Sequence, residues 1–284
     1  MVRLVLLPGM DGTGKLFEPL VGQLGHVCEI QVVEYPRDRP LSYSELEALV
    51  RPVLPTSHPF VLLGESFSSP LAVALAANAP LNLKGLILCA GFVRSPVHGL
   101  NRRLYSLIAP LVIGKRLPDR VIRWLLAGPN APPALLAEIQ SAISSVAPSV
   151  MTYRLRTILA CDARAELAKV HIPILYLQAE QDRLVGPECL DDIPAIKPLT
   201  VARITGSHLL LQCEPEKSAA AIEAWLRKLT NCGMCGCELN IGSNPLSGDC
   251  GGDCWGCISR VEAEMMGVSL EEYRADPSKF LPPV

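Results

Sequence analysis

The chain has 284 residues, 49% of them hydrophobic, and a formal net charge of −2. That length and apolar content allow a sizeable core in one large domain or two smaller ones. Its charge excludes the basic surface that nucleic-acid binding needs, and no run of about 18 apolar residues offers a membrane-spanning helix.

In chain order, "VRLVLL" (2–7), "VCEIQVVEY" (27–35), "PFVLLG" (59–64), "GLILCAG" (85–91), "IPILYL" (172–177) and "TVARIT" (200–205) read as strands. Most are continuously apolar, as expected for a parallel sheet covered on both faces. Helix candidates lie between them near 15–24, 43–54, 67–79, 187–195 and 214–229. The alternation predicts βαβ units and an open, mostly parallel α/β sheet with helices on both faces. It breaks between residues 92 and 171. There "LYSLIAPLVIG", "RVIRWLLAG", "PALLAEIQSAISSV" and "VMTYRLRTILA" are apolar and helical in character, which reads as an all-helical insertion. Near residue 230 the composition turns to Cys, Gly, Asn and Ser, so a domain of residues 1–230 and a segment of residues 231–284 are expected. A short helix, "ISRVEAEMMG", follows in that segment, and Ser269 and Glu272 have the spacing of a capping box. The N-terminal "MVRLVLLPG" is too short for a signal peptide and reads as the first strand, so a cytoplasmic location is expected.

The loop after that strand, "PGMDGTGKLF", places Gly9, Gly14 and Lys15 in the frame of a phosphate-binding loop. Such a loop needs a hydroxyl after its lysine to hold magnesium, and position 16 is leucine. A better partner lies at "FVLLGESFSSPLAVALAA", where a strand, Gly64-Glu65-Ser66-Phe67-Ser68 and a helix follow one another. This is the G-x-S-x-G turn with Ser68 in place of its last glycine, and it exposes Ser66 at a helix N-terminus. A serine nucleophile needs a base, and the base needs a group that orients it. Asp182 follows the strand at 172–177 and His208 follows the strand at 200–205, so Ser66, Asp182 and His208 all fall at strand carboxyl ends. His58 and His171 each precede a strand, at the opposite edge. His26 lies between a helix and a strand, and His98 opens the helical span. Asp191 and Asp192 fall in the helix candidate near 187–195 and read as solvated surface. The glycine-rich loop then supplies a second oxyanion donor: the N–H of Met10 would join that of Phe67, with the loop glycines letting the backbone approach substrate.

On "LLPGMDGTG", "GESFSS", "AEQDRLV" and "GSHLLLQ", in that order over residues 1–229, the chain resembles the α/β-hydrolase superfamily. It looks nearest to small bacterial carboxylesterases such as the pimeloyl-carrier-protein methyl ester esterases. The resemblance implies an α/β-hydrolase fold with a four-helix cap after the sixth strand of the core, at residues 97–165 here. It implies a sheet without the extra N-terminal strands of larger members. It also implies a serine esterase that needs no catalytic cofactor and acts on a small-molecule or carrier-linked acyl ester. Ser68 departs from the usual glycine, and Pro8-Gly9 from the common His-Gly. Apolar cap residues, among them Leu104, Leu107, Ile108, Leu111, Trp124 and Leu125, suit either an acyl pocket or packing of cap on core. Two other readings stay open: an acyltransferase with the same triad, and a non-catalytic binding protein whose tail docks a partner.

Eleven cysteines are present. Cys28, Cys89, Cys161, Cys189 and Cys213 are scattered, as small buried hydrophobes are. The other six crowd into residues 232–257. Cys232 and Cys235 form one C-x₂-C pair and Cys254 and Cys257 another, eighteen residues apart. This spacing matches a structural zinc site, with Cys237 and Cys250 as further candidate ligands. An iron–sulfur cluster uses the same thiolate donors. Without a metal, this segment has too little apolar surface to fold unaided.

Overall fold

Six strands, β1 (Arg3–Leu7), β2 (Glu29–Val32), β3 (Phe60–Glu65), β4 (Leu83–Cys89), β5 (Ile174–Ala179) and β6 (Thr200–Ile204), form one sheet in the order β2-β1-β3-β4-β5-β6. Every neighbouring pair is parallel. The computed structural model describes residues 2–78, 82–97, 116–232, 234–237, 239, 244–250 and 252–276. His98, the stretch "LYSLIAPLVIG" and with it Leu104, Leu107, Ile108 and Leu111 lie outside the described residues.

All six expected strands are present, and their central residues explain why they pair. Leu4 to Leu7, Phe60 to Leu63 and Leu86 to Leu88 have no exposed surface. Each such side chain contributes roughly 1.5–3 kcal/mol relative to an exposed one, and only a sheet covered on both faces can bury them all. Helix α1 (Glu18–Leu24) joins β1 to β2. Helix α2 (Tyr43–Val50) joins β2 to β3, and α3 (Ser69–Ala77) joins β3 to β4. Helices α2 and α3 pack together, while α1 packs on the short helix Leu210–Cys213. The chain runs outward from β1 to β2 and then returns across β1 to β3. Right-handed crossovers therefore put α1 on one face and α2 on the other. The carboxyl ends of β1 and β3 flank this switch point, where open α/β sheets bind their ligands.

Helices also fill the described part of the span between β4 and β5: Asp119–Ile122, Pro133–Ser144, Pro148–Ala160 and Arg164–Leu167. Leu135, Leu136 and Ile139 are buried with Ile122 and Leu16. Val150 and Met151 bury against Val146, with Met10 packed beside them. No single helix among the described residues is long and apolar enough to cross a membrane.

The chain divides into two compact units, Met1–Ala221 and Ile222–Val284. The division falls inside the helix Pro215–Thr230, ahead of the composition change at residue 230. In the second unit the helix Trp255–Met266 ends at Gly267 in the left-handed region (φ 69°). The helix Leu270–Ala275 follows, and the Ser269 hydroxyl accepts from Glu272 N at 3.1 Å.

Candidate active site

The turn after β3 is tight. Ser66 sits at φ 47°, in the left-handed region that a non-glycine residue seldom occupies. Position 64 tolerates only glycine, because a Cβ there would lie 2.7 Å from Ala72 Cβ and 2.8 Å from the Ser68 carbonyl. Ser68, where a glycine is usual, is fully buried but satisfied: its hydroxyl donates to the Pro8 carbonyl and lies 2.7 Å from the Tyr35 hydroxyl. The Tyr43 hydroxyl donates to the Phe67 carbonyl at 2.8 Å, fixing the turn from behind.

Three side chains far apart in sequence meet beside this turn. His208 Nε2 is 2.9 Å from Ser66 Oγ, and His208 Nδ1 is 2.8 Å from Asp182 Oδ2. The other Asp182 oxygen accepts from the N–H groups of Leu184 at 2.8 Å and Val185 at 2.9 Å. The loops that carry the pair are stitched together by Glu180 N to Ile204 O and Gln181 N to Gly206 O, both 3.0 Å. Burial disfavours a charged His208, but the charge and hydrogen bond of Asp182 outweigh it, with help from Glu65, and raise its pKa above the ordinary value. His26, His58 and His171 are exposed, as is Asp191. Asp192 does not stand free in solvent but pairs with Arg94 at 3.0 Å.

The loop after β1 is held against this group from two sides. On one side, Arg154 reaches in from the helix Pro148–Ala160. Its Nη1 donates to the Met10 carbonyl at 2.9 Å and the Asp11 carbonyl at 2.8 Å, and its Nη2 donates to the Pro36 carbonyl at 2.9 Å. On the other side, the Glu65 carboxylate lies against Gly9 and accepts from Gln212 Nε2 at 2.9 Å. Lys15 is exposed, and Leu16 is buried in the cap cluster. Phe67 is the second residue of the helical turn that Ser66 opens, where an N–H has no carbonyl one turn back to bond. Sequence reasoning missed Arg154 and Glu65. Arg154 could have been found, because it occupies the apolar face of its helix at the spacing of Val150, Met151 and Ile158.

A cavity of about 230 Å³ opens above Ser66 and His208, walled by Met10, Phe92, Leu126 and Met151 among others. Trp124 is exposed and lies outside it, with the Arg183 guanidinium 5.0 Å above its ring. Leu126, not Leu125, provides the wall on the helical stretch Arg123–Ala127.

No known family profile matches the chain. Solved structures do. An esterase from Thermogutta terrifontis shares 20% identity, with 81% of this chain and 90% of that one covered and a TM-score of 0.67. MenH from S. aureus shares 17%, with 81% and 95% covered and a TM-score of 0.67. A lipase-esterase related protein from Clostridium acetobutylicum shares 16%, with 78% and 93% covered and a TM-score of 0.65. The chain has an α/β-hydrolase fold. In sequence, the bifunctional biotin biosynthesis protein BioHC of Cellvibrio japonicus is 26% identical over 244 residues, covering 80% of this chain. The chain matches only 48% of that protein's length.

Within the α/β-hydrolase unit, Glu65 is the one strand residue whose charge faces the core beside the site. It is 3% exposed, and burial pushes its pKa up to about 7, although Gln212, His208 and Gly9 each pull the other way. From about 4.5, the ordinary value, to about 7 the unfolded chain carries this charge while the folded chain keeps the proton. Stability therefore falls as pH rises through that window and stays reduced above it. Glu65→Gln is expected to be more stable than the parent at pH 8, by up to about 3 kcal/mol, and equal to it near pH 4. Gln212 Oε1, which is buried without a partner, can accept from the new amide once its own amide turns over. Urea midpoints at the two pH values check this; an equal loss at both would refute it.

In the second unit, the sulfurs of Cys232, Cys235, Cys254 and Cys257 all lie within 4.8 Å of one another. Cys235 Sγ is 3.8 Å from Cys254 Sγ, close to the ~3.8 Å edge of a tetrahedron of sulfurs 2.3 Å from a zinc ion. Asp253 braces the first pair, its Oδ1 accepting from Met234 N at 3.0 Å. The donor set fits a metal ion. Cys237 lies beside Cys235 and Cys254 but outside the four, and Cys250 is exposed, with its sulfur turned to the Gly248 carbonyl at 3.7 Å. Of the scattered cysteines, Cys28, Cys89 and Cys189 are buried, and Cys161 and Cys213 partly so.

Proposed function

We propose that this chain is a serine hydrolase that cleaves carboxylic esters through an acyl-enzyme on Ser66. The observation that carries the reading is the unbroken hydrogen-bonded series from Ser66 Oγ through His208 to Asp182, opening on an apolar cavity.

His208 Nε2 takes the hydroxyl proton as Ser66 Oγ adds to the ester carbonyl carbon. Asp182 holds the ring with its other nitrogen protonated and stabilises the imidazolium, while its second oxygen stays fixed by two backbone N–H groups. The N–H groups of Met10 and Phe67 receive the carbonyl oxygen as it becomes negative. His208 then returns the proton to the leaving alcohol. A water molecule, activated by the same nitrogen, attacks the acyl-enzyme and releases the acid. The raised His208 pKa makes it a stronger base and sets an acid limb to the pH–rate profile, since the protonated ring cannot accept from Ser66.

The cavity volume of about 230 Å³ is below the roughly 300–1,000 Å³ that encloses drug-sized ligands, which favours a short or medium acyl chain. The resemblance to carrier-protein methyl ester esterases, and the similarity to a biotin biosynthesis protein, favour a small-molecule or carrier-linked ester. In the second unit, Cys232, Cys235, Cys254 and Cys257 would hold a structural zinc ion.

The test is a fluorophosphonate probe together with a panel of p-nitrophenyl esters from acetate to decanoate. Stoichiometric labelling of Ser66 and turnover that peaks at short or medium chains are expected. Folded protein that neither labels at Ser66 nor turns over any ester would end the reading.

A further inference from the structure

Arg154 is only 2% exposed, in a region built from apolar side chains, and the mechanism above does not use it. A buried guanidinium is retained at a cost unless its donors are occupied. Here three of its five N–H groups are taken by carbonyls from two loops: Met10 and Asp11 after β1, and Pro36 after β2. The group also lies 5.9 Å from the Phe67 ring and 5.7 Å from that of Tyr35, so it touches both segments that carry the proposed oxyanion donors. Gly12 makes the approach feasible, since a Cβ there would lie 2.6 Å from Arg154 Nη1. A second tie joins the same elements: Ala147 N, at the start of the Arg154 helix, donates to the Arg37 carbonyl at 2.8 Å.

From this we infer that Arg154 is the positioning residue of the oxyanion hole, a strut from the cap helix that sets the angle of the Met10 amide. The inference rests on the esterase reading of the site. Two successive carbonyls, those of Met10 and Asp11, bonded to one rigid fork fix the planes of the two peptides that follow the Met10 N–H. A planar guanidinium does this and a single-point ammonium does not. Oδ2 of the Asp11 carboxylate accepts from Thr13 N at 2.8 Å and from the Thr13 hydroxyl, so Asp11 meets the fork through its backbone carbonyl while its charge favours the guanidinium nearby. Cap and hole are thereby joined: a shift of the helix Pro148–Ala160 moves the amide that must meet the transition state.

The experiment compares Arg154→Met and Arg154→Lys with the parent on one p-nitrophenyl ester. It also measures inhibition by a trifluoromethyl ketone, whose carbonyl carbon bonds Ser66 Oγ, passing the serine proton to His208 and leaving a hemiketal oxyanion in the hole. Removing a whole oxyanion donor costs on the order of 10²–10³ in turnover. Misplacing one is expected to cost Arg154→Met about 10- to 100-fold in kcat, with KM within about threefold and ketone affinity reduced in step with kcat. Arg154→Lys is expected to fall between Met and parent. Turnover within threefold of the parent in both variants would overturn the inference, as would a loss of turnover with ketone affinity intact. If Arg154→Met does not fold, parental kcat in Arg154→Lys would overturn it just as well. A parent without Ser66-dependent hydrolysis would overturn the esterase reading too, and that outcome is distinct from an active parent with unaffected variants.

Discussion

Ser66→Ala is expected to lower ester turnover by about 10⁴–10⁶-fold while leaving the fold as stable as the parent or slightly more so. The size follows from what one oxygen does. Without it, neither an acyl-enzyme nor the proton transfer to His208 exists, and only binding and the oxyanion amides remain to assist water. The stability expectation follows from the backbone. Ser66 holds φ 47°, and Ala keeps the same Cβ, so the strain of the turn is unchanged. The lost hydrogen bond is a single one to His208 Nε2, in a half-open position that water can reach. Steady-state rates and thermal unfolding of the same preparation check both halves. Turnover above about 1% of the parent would mean that another group is the nucleophile. A large loss of stability would mean that inactivity says nothing about chemistry.

The sheet and the meeting of the three side chains were legible for one physical reason. A strand covered on both faces must be apolar throughout, so the central runs announced strands, while β2 and β6 at the sheet edges keep polar, exposed positions; chemistry-bearing residues just beyond the strand ends were bound to share one rim. Ser66, Asp182 and His208 needed no contact information beyond that. What supports these residues was not legible. Arg154 lies 144 residues from Met10 in the chain, and no local pattern says which carbonyls a charged side chain on an apolar helix face will find. Glu65 looked like the variable position of the turn, yet it is fully enclosed, with Gln212 as a partner 147 residues away. Ser68 appeared to be a departure from the expected glycine. Its hydroxyl is instead absorbed by Pro8 and Tyr35, two partners that only the folded sheet supplies. The described part of the cap was legible as helical, but which residues wall the cavity was not: Trp124 turns outward and Leu126 inward because helical phase is set by packing on the core.

Replacing Cys232 and Cys254 together with serine is expected to remove one equivalent of zinc per chain and to unfold the second unit, while ester turnover stays within about twofold of the parent. Beyond residue 230, the described buried apolar side chains are only Cys232, Leu239, Cys254, Ala263 and Tyr273, with Cys237 and Cys257 packed against the first three. So few apolar side chains cannot offset the ordering of its chain. Metal binding can: apparent zinc binding in small structural sites is worth roughly 10–16 kcal/mol near neutral pH, and it is folding free energy outright. The two serines together remove one ligand from each close pair, so neither pair keeps two thiolates with which to rebuild the site. The hydrogen-bonded series, the cavity and Arg154 all belong to Met1–Ala221, which is why turnover should survive. Metal analysis and hydrogen exchange of the helix Trp255–Met266 read the two effects separately. Cys250→Ser should keep the metal, since that sulfur stands apart from the four. Bound iron with visible charge-transfer bands would replace zinc by a cluster. Parent protein that is fully reduced yet free of any metal, with that helix still protected, would show that the four sulfurs gather without an ion and would end the metal reading.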